Sequence, residues 1–232
     1  PMKKRILSIL LLCCMVLTML PTTVLAADGP MDTIPKYDVS IDVYNRTSDI
    51  SIKDSRSYYI YSSVPDKLRD TWAWDKKIFI KGDKTAPHVF IDGVNIEMSP
   101  SSKGPAIELN KKASAYIYFI GKNSSLQGAD GRAAIQKNRS EGQLYVLART
   151  GTTVTCKGGD KAAGIGGSYA TRNISNGYYN GDMYGHGVNM HFGSQSNPDY
   201  WGGTIAAIGG NGGAGIGGGQ GGSGEKLYFY SG

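Results

Sequence analysis

Two polar stretches gather aromatic side chains among Asn, Asp and Gly. NISNGYYNGDMYGHG, residues 173–187, carries Tyr178, Tyr179, Tyr184 and His186, and SQSNPDYWGG, residues 194–203, adds Tyr200 and Trp201. Aromatic faces on polar loops suit sugars, because a pyranose presents an apolar C–H face to a ring while amides and carboxylates bond its hydroxyls. The competing role for the same side chains is packing along the flank of a scaffold. Exposure separates the two: a solvent-facing cluster favours sugar, and a buried one does not.

Other chemistries find less support. NGDMYGHG, residues 180–187, contains the fragments NxD and GHG and in these resembles the pectin-hydrolysing polygalacturonases. It departs from them in lacking both an adjacent aspartate pair and a basic RxK after His186. Glycoside hydrolysis needs two opposed carboxyl groups, and Asp83, Asp92 and Glu97 would have to be brought together by the fold. His186 and His191 are five residues apart, which on a strand places them on opposite faces, and no nearby Cys or His completes a zinc set. GGNGGAG, residues 209–215, has Ala214 where a calcium-binding nonapeptide needs aspartate. No GKS or GKT follows the glycine runs, so a phosphate loop is not indicated. The expectation is no catalytic residue, no metal and no cofactor.

The chain has 232 residues and a formal net charge of +6. Lys3, Lys4 and Arg5 precede an apolar run from Ile6 to Leu20, then Pro21 and Val24-Leu25-Ala26, the pattern of a secretory signal peptide cleaved after Ala26. The run is shorter than the roughly 20 residues that span a bilayer, so no membrane insertion is expected after cleavage. Removing residues 1–26 takes away three positive charges and two of the three cysteines. The remaining Cys156 has no disulfide partner, and the modest charge without a basic, aromatic-interleaved face argues against nucleic acid.

The elements that must hold the polar stretches are written in a repeat. TVTCKGGDKAAGIGG, residues 153–167, aligns without a gap on TIAAIGGNGGAGIGG, residues 204–218, and GADGRAAI, residues 128–135, is a weaker copy 30 residues upstream of the first. The larger step of 51 residues implies an insertion, placed at 168–187. Short runs of period two (KIFIKG, HVFIDGVNIEM, AIEL, AYIYFIG, GQLYVLA, VNMHF and LYFY) read as strands. Residues 65–77 are the one short stretch that suggests a helix.

Short strands, glycine-rich turns and a repeat near 30 residues predict an all-β chain, a right-handed parallel β-solenoid. An antiparallel sandwich and a disordered glycine tract are the alternatives. In a solenoid, Gly164 and Gly215 let stacked backbones approach at a turn, and Ile165 and Ile216 plug the interior one above the other. Residues 27–64 lack the glycine pattern and read as N-terminal cap strands, with Trp72 and Trp74 closing that end. Residues 65–232 form the solenoid, which stops within a repeat at EKLYFYSG.

GGNGGAGIGGG followed by GGSG resembles the glycine-rich repeats of secreted or wall-associated proteins of Gram-positive gut bacteria, often labelled carbohydrate-binding, over about residues 37–232. The resemblance implies an extracellular or cell-wall location and a solenoid of the pectin-lyase-like kind. The reading that follows is a non-catalytic module for adhesion or carbohydrate binding, its partner a glycan or a host or cell-wall polysaccharide. A pectin-lyase-like polysaccharide hydrolase or lyase comes second, and a structural stalk third. The sequence does not set the oligomeric state.

Overall fold

Alternating burial turns the period-two runs into strands throughout the residues that the computed structural model describes, 34–99, 104–110, 112–137, 141–169 and 185–230. In chain order they are β1 (Val39–Asp42), β2 (Ile50–Ile52), β3 (Ser57–Tyr61), β4 (Ile78–Lys81), β5 (His88–Asp92), β6 (Asn95–Glu97), β7 (Ile107–Asn110) and β8 (Ala115–Ile120). They continue as β9 (Ser124–Gln127), β10 (Ile135–Gln136), β11 (Leu144–Lys157), β12 (Ile165–Gly166), β13 (Gly187–Phe192), β14 (Gly202–Ile208), β15 (Ile216–Gly217) and β16 (Gly224–Phe229). The described residues are all-β with almost no helix. Where residues 65–77 suggested one, a single 3-10 turn forms at Asp66–Leu68. Beyond it, Trp74 is drawn into a parallel bridge with Ile96, and burying its indole there outweighs a weak local preference for helix.

The pairing among the described strands is parallel, which excludes the antiparallel sandwich. A long sheet runs β1-β3-β5-β8-β11-β13-β16, and a short one β2-β4-β7-β10-β12-β15. β11 spans 14 residues: Leu144–Ala148 lie beside β8, and Val154–Lys157 beside β9 and β14. Between these halves Gly151 takes φ +83°, a conformation that glycine adopts without steric cost. The strand runs expected to cap the N-terminus are members of the same sheets, β1 and β3 in the long one and β2 in the short one.

Register explains the isolated isoleucines. Ile50, Ile78, Ile107, Ile135, Ile165 and Ile216 are successive partners across the short sheet. The first five are at most 2% exposed, and Ile216 is half-buried. Burying each is worth about 1.5–3 kcal/mol, and a one-residue slip would turn every one outward. Opposite them, Val39, Tyr58, Val89, Ile117, Val146, Phe192 and Phe229 form a second ladder across the long sheet. Cys156 is fully buried between its partners Leu126 and Ala207, where loss of solvent pushes its thiol pKa up.

Glycine is needed where strand-to-turn backbones converge. A Cβ on Gly164 would come within 2.7 Å of both Cys156 O and Ile208 N, and one on Gly215 within 2.7 Å of Ala207 O. The obstructing atoms are main-chain, so no rotamer change relieves the clash. Gly164 thus serves the approach of backbones rather than a special φ.

Candidate functional site

The outward side of the long sheet carries an aromatic column. His88, Tyr116, Tyr145, His191 and Tyr228 are register partners on β5, β8, β11, β13 and β16. Their neighbours Val89, Ile117, Val146 and Phe192 point into the core, so the two-residue pleat sends these five rings the other way. Successive centroids lie 4.7, 4.5, 4.4 and 4.6 Å apart, with planes within 17° of parallel. These are the spacings of neighbouring strands. Tyr116, Tyr145 and His191 therefore have both faces covered by neighbouring rings, whereas His88 and Tyr228, at the ends of the column, each stack on one of its rings. The ring edges of Tyr116 and Tyr145, half-buried, and of Tyr228, exposed, are what the column presents to solvent, while His191 is buried.

Two tyrosines brace the histidines. His88 Nδ1 is 3.0 Å from Tyr118 Oη, and His191 Nδ1 is 2.9 Å from Tyr230 Oη. Burial lowers both imidazole pKa values, which favours the neutral form. Beside the column, Tyr59, Phe90, Ile120, Leu147 and Trp201 form a second apolar cluster on the outer face, with Tyr118 and Tyr200 packed against it.

The expected ligand residues divide among these surroundings. Tyr178, Tyr179 and Tyr184 lie outside the described residues. Trp201 is 4% exposed, its ring 5.1 Å from Tyr118 and edge-on to Tyr200 at 4.7 Å. It roofs the outer cluster and offers no open face to a sugar. Tyr200 is half-buried in the same contact. His186 is elsewhere: its Nδ1 lies 2.7 Å from Ser223 Oγ and accepts the Ser223 N–H at 3.1 Å, while Ser223 Oγ donates to Glu225 at 2.9 Å. Serine stands between histidine and carboxylate, so the carboxylate does not orient the imidazole as a nucleophile-activating relay requires.

The aromatic column was not singled out from the sequence. Its signal is one ring per strand at the outward position, in HVF, YIY, LYV, MHF and LYF, and it becomes a feature only when the register is known.

A cleft of about 530 Å³ lies at the other side of the short sheet's entry, lined by Asp49, Asp75, Lys76, Lys77, Glu108 and Arg132 among others. Four of these charges pair with one another: Lys77 Nζ lies 2.7 Å from Glu108 and Lys76 Nζ 2.5 Å from Asp75. The hydrogen bond from Lys76 holds the Asp75 carboxyl below its ordinary range, outweighing a small opposing effect of burial. A general acid needs the opposite shift. Asp92 is likewise engaged, by Tyr59 Oη at 2.8 Å and the Lys122 N–H at 2.9 Å.

No protein-family description, curated protein or solved structure matches the chain. Among the described residues no helix is long and apolar enough to cross a membrane, and no group of three or more potential ligands could hold a metal.

Proposed function

We propose that the chain is a secreted or cell-surface, non-catalytic module that binds carbohydrate through the outer face of a right-handed parallel β-solenoid. The solenoid reading is supported by the isoleucine ladder, whose members recur every 28 to 30 residues until the 51-residue step that holds the insertion. The leader-like N-terminus and the resemblance to glycine-rich surface repeats support an extracellular setting of the Gram-positive, adhesin-like kind.

The observation that carries the binding reading is the five-ring column on the solvent side of consecutive strands. It repeats hydrogen-bonding edges at strand spacing on a rigid surface, so a hydroxyl-rich chain could lie along it with little ordering cost to the protein. This modifies the sequence-based picture. Contact would run along ring edges and hydroxyls rather than through stacking on Trp201. The polysaccharide hydrolase or lyase reading is the alternative, and among the described residues the carboxyl groups with a clear shift are held down, the opposite of what a general acid needs. A stalk is the third reading.

A glycan array of plant, bacterial and host polysaccharides tests the proposal, together with reducing-end release on the same polymers. The expected outcome is retention without chain cleavage. Release of reducing ends would replace binding with hydrolysis, and loss of all retention by folded protein would favour the stalk.

A further inference from the structure

We infer that the basic edge beside the aromatic column selects acidic polysaccharides, an inference that rests on the carbohydrate reading above and names its ligand class. The connections from the short sheet to the long sheet occur at one edge in successive repeats: after β2, after β4 and after β7. They bring Lys53, Lys81, Lys84 and Lys112 together. Lys53 and Lys81 directly follow the partners Ile52 and Ile80. Lys84 precedes Thr85, whose carbonyl accepts the N–H of Ser114, two residues beyond Lys112.

Lys53, Lys84 and Lys112 are exposed, and Lys81 lies half-buried with its Nζ 4.9 Å from the Phe79 ring centroid. None of the four takes part in an ion pair among the described residues, whereas the nearby Arg56 is matched by Asp54 at 2.9 Å. Asp83 is the other acidic group of these connections, and in the next one, after β10, Lys137 is turned inward, 2% exposed, with its Nζ 3.1 Å from Glu141 O. Unpaired like charges on adjacent strands repel one another. A polyanion lying across the repeats would relieve that repulsion.

The strands that leave this edge begin with Ser57, His88 and, one residue after Ala115, Tyr116, so Lys53, Lys84 and Lys112 each stand four residues before the register row that the column occupies. Carboxylates on the lysines and hydroxyls on the ring edges are the two functions that a uronic-acid polymer combines. Single-stranded nucleic acid fits less well, because it needs a succession of free aromatic faces for its bases, and here the inner rings Tyr116, Tyr145 and His191 are covered on both sides.

Titration of the full chain with polygalacturonate, with the same polymer fully methyl-esterified, and with single-stranded DNA tests the inference. Polygalacturonate is expected to bind at least about tenfold more tightly than its neutral ester and to weaken roughly tenfold between low and several-hundred-millimolar salt. K53Q/K84Q/K112Q should lose about tenfold in affinity, by removing three exposed charges, with an unchanged thermal midpoint. Equal affinity for acid and ester, an unaffected triple variant, or DNA binding as tight as polygalacturonate would overturn it. Ester or neutral glycan binding that the lysine variant leaves intact would refute acidic selectivity while sparing the carbohydrate reading. Failure of every glycan would defeat both.

Discussion

At the scale of single residues, close backbone approach and two imidazoles whose pKa burial lowers carry the most weight. Gly164→Ala places a methyl group against the main chain of two other segments, and overpacking of this kind costs about 1–3 kcal/mol. Urea unfolding should show that loss with an unchanged slope, and a neutral result would mean the turn is looser than described. Gly164, Gly215, Ile165 and Ile216 were legible in the sequence because an entire 15-residue pattern recurs around them. The column was not, because Tyr116 and Tyr145 each look like one more outward residue until the step between repeats fixes which strands meet. The histidines give a second prediction. Both His88 and His191 have folded-state pKa values below the ordinary 6.5. The unfolded chain therefore binds protons first as pH falls, so stability is intact above about pH 6.5 and declines below it. Thermal midpoints at pH 7.5 and 5.5 should differ, and His88→Phe with His191→Phe should flatten the difference. An equal slope in the variant would place the acid sensitivity elsewhere.

At the scale of elements, the ladders should respond according to depth. Ile135→Ala opens a void between Ile107 and Ile165 and should cost about 2–5 kcal/mol, measured by chemical denaturation. Ile216→Ala, at a half-buried position, should cost clearly less. Equal losses would contradict a graded interior. Most strands were legible from alternation: KIFIKG, HVFIDGVNIEM and AYIYFIG coincide with β4, β5 with β6, and β8. β9 was not, because its SSLQ holds a single aliphatic residue, Leu126, and owes its strand to pairing with β6 and β11. The short helix suggested near Trp72 gave way for the reverse reason, since tertiary burial of Trp74 overrode local preference.

At the scale of the whole molecule, the proposal joins export, a repetitive scaffold and a polar aromatic surface. Expression in a secreting bacterial host should yield a chain that begins at Ala27, read by intact mass. Retention of residues 1–26 in exported protein would contradict the leader reading. The central claim is that the ring edges of the column contact the glycan, and calorimetric titration of Tyr116→Phe/Tyr145→Phe against an array-positive polysaccharide tests it most directly. The substitutions keep both stacked rings and remove only their hydroxyls, each hydrogen bond being worth about 0.5–1.5 kcal/mol. The account predicts roughly tenfold weaker binding with an unchanged thermal midpoint. Affinity equal to that of the unsubstituted chain would show that the column serves only to hold the sheet in register.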